Sequence, residues 1–306
     1  MSEMASAASP HYTLDSLPDE ILLKILQYAT SKVIRLSKDS RSNFLLHVIS
    51  KVSRRFEAIA TVPLMWKIVK IDLAWSNELN PSLHPDHPHF MSMMPNVADI
   101  LKQLGDTAAG RGTKKLIIDM AWTTMSTVDM TEVGRRFQYV ETMFLNNVSL
   151  RSWPWPTTSH AWTSLNQLHI FGGLEFSSMF KSVDLHFNFP NLSFLKIEIW
   201  WPRSGWSTRT KAIVLPDLSE CNHLKQIIVA LSGVARAPLS FSCDLGNKVP
   251  LPRSLKELHL SHAYFVDPCT QEQLDYEDKI IAPIKNHLED CKIISYEYPN
   301  EYVNKL

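Results

Sequence analysis

From Thr113 onward the chain repeats one short pattern, apolar-x-x-apolar-x-apolar, and a recurring unit of this kind constrains a fold more than any single element does. Clear copies are Val140/Met143/Leu145, Leu165/Leu168/Ile170, Leu192/Leu195/Ile197, Leu224/Ile227/Val229 and Leu255/Leu258/Leu260. Looser copies start at Thr113 (Leu116, Ile118) and at Leu288 (Cys291, Ile293). Successive starts lie 27, 25, 27, 32, 31 and 33 residues apart. The last two apolar residues of each copy alternate as a half-buried strand requires. Pro or Ser often precedes the strand, as in Pro190-Asn191-Leu192 and Pro252-Arg253-Ser254-Leu255. A series of short strands separated by roughly 25 to 33 residues predicts an irregular α/β solenoid. A non-repeating α/β domain is the alternative.

This pattern resembles leucine-rich repeats over about Thr113 to Glu297. The resemblance implies short parallel strands lining one concave face. One departure stands out. The Asn that usually follows the last apolar position by three residues is replaced by Val148, Gly173, Trp200, Ser232, Ala263 and Tyr296. The turns must then be satisfied otherwise, and the longer repeats imply insertions.

If the strands line a face, the residues between the buried ones point outward. The candidates for contact with a protein target are Phe144, His169, Phe171, Phe194, Lys196, Glu198, Trp200, Trp201, Ile228 and His259. Aromatic anchors among charges of both signs suit protein recognition. The alternative is that the Phe rings pack under insertions or a helix. Two Trp-rich stretches, Trp153-Pro154-Trp155-Pro156 with Trp162 and Trp200 to Trp206, read as loops that either meet a partner or cap the repeat edges as core.

The N-terminal part follows another rhythm. Leu14 to Ala29 reads as an amphipathic helix, with Pro18 at its first position and Asp19 and Glu20 in the first turn, where the helix dipole favours negative charge. Ile21, Leu22, Ile25 and Leu26 supply its apolar stripe. Thr30 to Arg41 is polar, and Leu45 to Ala60 resumes the helical period until Pro63 ends it. Three helices in about fifty residues are marginal alone and need a partner or a neighbouring domain to cover their apolar faces.

Three blocks here, Leu17-Pro18-Asp19-Glu20-Ile21-Leu22, then Val52-Ser53-Arg54-Arg55-Phe56, then Pro63-Leu64-Met65-Trp66, are together similar to the F-box pattern. The interval between the first two is about nine residues longer than usual, which predicts an enlarged loop over Ser31 to Ser40. The resemblance implies that Leu17, Pro18, Ile21, Leu22 and Ile25 lie against a Skp-family adaptor, while Val52, Phe56 and Trp66 build the module's core. It implies an adaptor-bound cullin, and thus the substrate-recognition subunit of a Skp–cullin–F-box ubiquitin ligase with an unknown protein target. A non-catalytic scaffold outside ubiquitination is the alternative.

The expected organisation is a disordered 1–13, an F-box over 14–72, a linker and helix over 73–112, a leucine-rich-repeat-like domain over 113–298 and a tail over 299–306. The fold class is then α/β, a three-helix F-box followed by the irregular solenoid. The linker is Pro- and His-rich, and His84, His87 and His89 read as a solvated loop, because no nearby Cys or acidic pair completes a tetrahedral metal site. Asn96 to Leu104 reads as a helix.

Composition narrows the function classes. Basic and acidic residues balance at 31 each, so no global field draws nucleic acid or an anionic membrane. Met1 to Thr13 has no basic start and no apolar stretch, unlike a signal peptide. No apolar run approaches the roughly 18 residues of a membrane helix. The four Cys lack metal-like spacing and read as reduced thiols of a cytoplasmic or nuclear protein. The sequons at Asn147 and Asn191 then carry no glycan. No Gly-rich phosphate loop, nucleophile elbow or His-Glu-x-x-His occurs. The expectation is a non-enzyme without cofactor or metal.

Overall fold

A computed structural model of the chain describes residues 13–30, 33–37, 45, 48–72, 101, 109–119, 130–146, 162–172, 185–201, 213–215, 217–233, 239–241, 249–261 and 282–296. Nine strands form one parallel sheet in the order β1-β2-β3-β4-β5-β6-β8-β10-β11. They are β1 (Ile34–Ser37), β2 (Ile68–Asp72), β3 (Lys115–Asp119), β4 (Thr142–Asn146), β5 (Gln167–Gly172), β6 (Phe194–Trp201), β8 (Gln226–Gly233), β10 (Glu257–Ser261) and β11 (Lys292–Tyr296). Two short strands, β7 (Ile213–Leu215) and β9 (Leu239–Phe241), pair with each other in a second sheet. They sit in the two intervals of 32 and 31 residues, so the expected insertions pair with one another.

The apolar triplets determine the register. Met143, Leu168, Leu195, Ile227 and Leu258 stand opposite one another from strand to strand, and so do Leu145, Ile170, Ile197, Val229 and Leu260. All ten are at most 3% exposed. A one-residue slip would turn every one of these side chains to the other face, which is why the pairing is unambiguous. The last copy is offset from expectation. Ile293 faces Leu258 and Ser295 faces Leu260, two residues later than the pattern from Leu288 implies.

The turns are satisfied on the entry side of the strands. The carbonyl of Lys114 accepts from the N–H groups of Glu141 and Thr142, at 2.9 and 3.0 Å. Glu141, Asn166, Ser193 and Lys225 repeat this double acceptance from the next copy. In four triplets the first residue also closes a turn on the residue three before it: Leu165 on Trp162, Leu192 on Phe189, Leu224 on Cys221 and Leu255 on Pro252. Main-chain bonds thus meet a demand that buried backbone groups always impose. Trp162 is 3% exposed and belongs to the core, the bland reading of that Trp. Trp200 and Trp201 end strand β6, where a loop was expected, and their side chains lie outside the described set, as do Trp153, Trp155 and Trp206.

The N-terminal helices are α1 (Asp19–Ala29) and α2 (Arg54–Ala60), with 3-10 turns at Leu14–Ser16, Ile49–Lys51 and Pro63–Trp66. Ser53 caps α2, its hydroxyl accepting from Phe56 N–H at 3.2 Å. The helix expected from Leu14 is broken, because Leu17 and Pro18 are extended with ψ of 146° and 149°, so Pro18 precedes the first turn. The second helix expected from Leu45 is described only at Leu45, before the 3-10 turn at Ile49. Within the expected enlarged loop, Ile34–Ser37 is strand β1, paired to β2 with Ile34 opposite Val69 and Leu36 opposite Ile71. Of the three residues expected to build the module's core, Phe56 (4%) and Trp66 (0%) are buried, and Trp66 Nε1 donates to the Ala60 carbonyl at 2.8 Å. Val52 is 59% exposed, because it follows the 3-10 turn and the start of α2 directs Phe56 inward instead.

The boundary expected at 72 does not separate two cores. β2 pairs with β3 over five residues, and one hydrophobic cluster runs from Leu22 to Leu288. Gly112 seats the junction, since a Cβ there would collide with the Pro63 carbonyl oxygen. Three further helices, α3 (Met130–Arg136), α4 (Leu185–Asn188) and α5 (Ala282–His287), fall between successive strands and place Val133, Leu185 and Ile284 in that cluster. The expected disordered 1–13 and tail 299–306 fall outside the described residues, except Thr13. So do His84, His87 and His89, and the helix over 96–104 apart from buried Leu101.

Candidate functional site

Two surfaces are built by this arrangement. The first lies on α1. Its apolar residues divide between two faces: Leu22 and Leu26 are 1% and 4% exposed in the core, whereas Ile21 and Ile25 are each 41% exposed and Tyr28 is 86% exposed. Spacings of four and three residues place Ile21, Ile25 and Tyr28 on one side of the helix. Of the residues expected at an adaptor, Pro18, Ile21 and Ile25 are exposed and Leu17 is partly buried against the core. Leu22 differs from these: it is buried in the hydrophobic core and does not share the exposed face of α1.

Sequence reasoning missed the rest of this surface. Leu14 (58%), Val48 (47%), Val52 (59%) and Leu64 (42%) are also exposed. Among the described residues, seven of the nine exposed large hydrophobics lie within 14–71. Large apolar side chains exposed in one segment are candidates for cover by a partner. The signal was present in Val52 and Leu64, apolar residues inside the matching blocks but not required by the core.

Arg55 holds the turn ahead of α1. Its guanidinium donates to the Asp19 carboxylate at 2.8 Å through Nε, and to the main-chain carbonyls of Asp15 and Leu17. The fork geometry of Arg suits several acceptors at once.

The second surface is the outward face of the sheet. Phe144, His169, Phe171, Phe194, Lys196, Glu198, Ile228 and His259 are all partly exposed, as the alternation requires. The Phe144 and His169 rings stack with centroids 4.1 Å apart, and Phe194 leans on His169 at 5.0 Å. Lys115 Nζ stands over the Phe144 ring at 4.4 Å. Lys196 pairs with Glu198 at 2.9 Å, and Lys70 with Asp119 at 2.6 Å. Burial opposes the charge of Lys70, but hydrogen bonding to Asp119 and the field of Asp72 outweigh it and raise the pKa. Further along, Glu257 accepts from Gln226 at 2.8 Å and meets His259 at 3.0 Å. Burial lowers the His169 pKa to about 4, and the charges of Lys196 and Lys115 add to this.

Among the described residues, no group of three or more His, Cys, Asp or Glu could hold a metal, and no helix is long and apolar enough to cross a membrane. Cys221 and Cys291 are thiols, and burial together with Glu257 pushes Cys291 up.

The family model described as F-box-like matches residues 14–71. No curated protein matches the chain. An F-box-like domain therefore occupies this segment, in a mixed α/β chain with a nine-stranded parallel sheet. Domains of this kind typically bind Skp-family adaptors, which suggests a role as the adaptor-binding module of a Skp–cullin–F-box-type complex. The match ends inside β2, so the matched segment contains β1 and all but the last residue of β2.

Proposed function

We propose that the chain is the substrate receptor of a Skp–cullin–F-box ubiquitin ligase, acting in ubiquitin-dependent degradation in the cytoplasm or nucleus. The F-box-like domain binds the adaptor through Pro18, Ile21 and Ile25, with Leu17 seating the turn. The adaptor links it to a cullin. The outward face of the sheet, read as a leucine-rich-repeat-like solenoid over 113–298, binds the protein target. The chain supplies proximity rather than chemistry, holding the target where a conjugating enzyme reaches it.

The observation that carries this reading is the exposed apolar stripe of α1 inside the family match. Co-purification tests it. Recovery of both adaptor and cullin with the chain supports the receptor. Adaptor without cullin would replace it with a scaffold acting outside ubiquitination.

A further inference from the structure

We propose that the ring row Phe144, His169 and Phe194 on the outward face is the seat of a target segment in which an aromatic side chain stands next to a carboxylate. The inference deepens the receptor reading and rests on it for the identity of the segment's owner, a protein target.

The geometry comes from the register. Phe144 on β4 and His169 on β5 are direct cross-strand partners, and their rings lie nearly parallel, 12° apart. Phe194 on β6 faces Gln167 and so sits on the diagonal from His169, tilted by 39°. Three rings on three adjacent strands make a platform about 10 Å across, two strand spacings wide. The rings are only partly buried, although they already stack on one another. A planar side chain adds to such a row by offset stacking or by an edge-to-face contact.

The charge around the row selects the neighbour of that side chain. Lys115 lies over the edge ring, and among the described residues no carboxylate pairs with it. Of the other charges on this face, Lys70 pairs with Asp119 and Asp72, and Lys196 pairs with Glu198. At the edge of the platform Lys115 is thus the cation that stands over the rings. Burial keeps His169 neutral, and the charges of Lys196 and Lys115 act in the same direction. A neutral imidazole leaves the row an apolar surface, while a carboxylate beside Lys115 gains a partner on ground that is partly shielded from water. A basic neighbour meets like charge and is rejected.

The test uses the full chain, adaptor capture measured in parallel, and two probes, N-acetyl-Trp-Glu-amide and N-acetyl-Trp-Lys-amide. The His169 imidazole is observed by NMR. The acidic probe is expected to shift the His169 resonance saturably, to raise its titration midpoint, and to bind about tenfold more tightly than the basic probe. Lys115→Gln is expected to bring the two probes within about twofold of one another, and its co-purification with adaptor reports that it is folded. Equal binding of both probes to the natural chain, or no response of His169 to either, overturns the inference. Loss of adaptor capture with the acidic probe still bound supports it while removing the ligase reading. Intact adaptor capture with no probe response removes only this inference.

Discussion

Arg55 and Asp19 lie 36 residues apart in the chain and meet at 2.8 Å, Nε of one donating to the carboxylate of the other. The same guanidinium reaches the carbonyls of Asp15 and Leu17. One side chain of the second F-box block thus shapes the turn that opens the first. The ion pair itself is solvent-exposed and contributes little. The main-chain acceptors matter more, since Arg55→Ala leaves them without a charged donor. That variant should lose about 1–2 kcal/mol in urea unfolding. Arg55→Lys should recover less than half of the loss, because an ammonium lacks the fork. An unfolding curve identical to the natural chain's would show that the clamp does not hold the turn.

The two faces of α1 separate binding from stability. Ile21→Ser with Ile25→Ser should leave the melting temperature nearly unchanged, within about 0.5 kcal/mol per site. Adaptor binding should fall by at least about 2 kcal/mol if these are interface anchors. Leu22→Ala should do the reverse and cost about 2–5 kcal/mol of stability. Titration calorimetry against the adaptor, run beside thermal melts, distinguishes the two. Adaptor affinity untouched by the double variant would reject the proposed face.

Gly112 tests the seam between the F-box-like domain and the rest of the sheet. A methyl group there collides with the Pro63 carbonyl, so backbone must move. Gly112→Ala should cost about 1–3 kcal/mol, read from thermal melts. A melt unchanged by the substitution would mean that the close seating is not retained in solution.

Because β1 and β2 belong to the nine-stranded sheet, deletion of residues 1–72 should bare the edge of β3. A parallel sheet stripped of its terminal strands presents an unpaired edge, and such edges aggregate. The truncated chain should sediment as aggregate where the full chain stays monodisperse. A soluble, cooperatively folding 73–306 would show that the F-box-like domain is structurally separable.

His169 gives stability a pH slope. Its folded-state pKa is lowered to about 4 from an ordinary 6.5. Between these values the unfolded chain binds the proton and the folded chain does not. Stability from this residue is thus complete above about pH 6.5, falls as pH drops through the window, and levels off below about pH 4. Denaturant midpoints followed from pH 7.5 to 4 should flatten in His169→Gln relative to the natural chain. Parallel slopes for the two proteins would refute the neutral, half-buried imidazole.

The repeats from Val140 to Leu260 were legible because alternation inside each copy and near-constant spacing between copies both leave marks in sequence. Strands β1 and β2 were not read, although Ile34/Leu36 and Val69/Ile71 show the same alternation. Each stood alone inside a stretch assigned to loop or module end, without a neighbour at the repeat spacing. The last copy was misplaced by two residues because Cys291 and Ile293 imitate the pattern, and only pairing with β10 decides between the two alignments.

The sequence by itself determined the F-box-like blocks, the parallel-strand series and the residues that alternate between core and outward face. These are local properties, carried by residue type and by periods of 2 and 3.6. Tertiary structure alone decided that Leu22 turns inward while Ile21 and Ile25 do not, that Val52 is exposed, and that Arg55 reaches Asp19. It also decided that the two expected modules share one sheet and that Phe144, His169 and Phe194 meet as a row. Each of these depends on which segments lie side by side, and distances between residues far apart in the chain follow from packing and register rather than from local pattern.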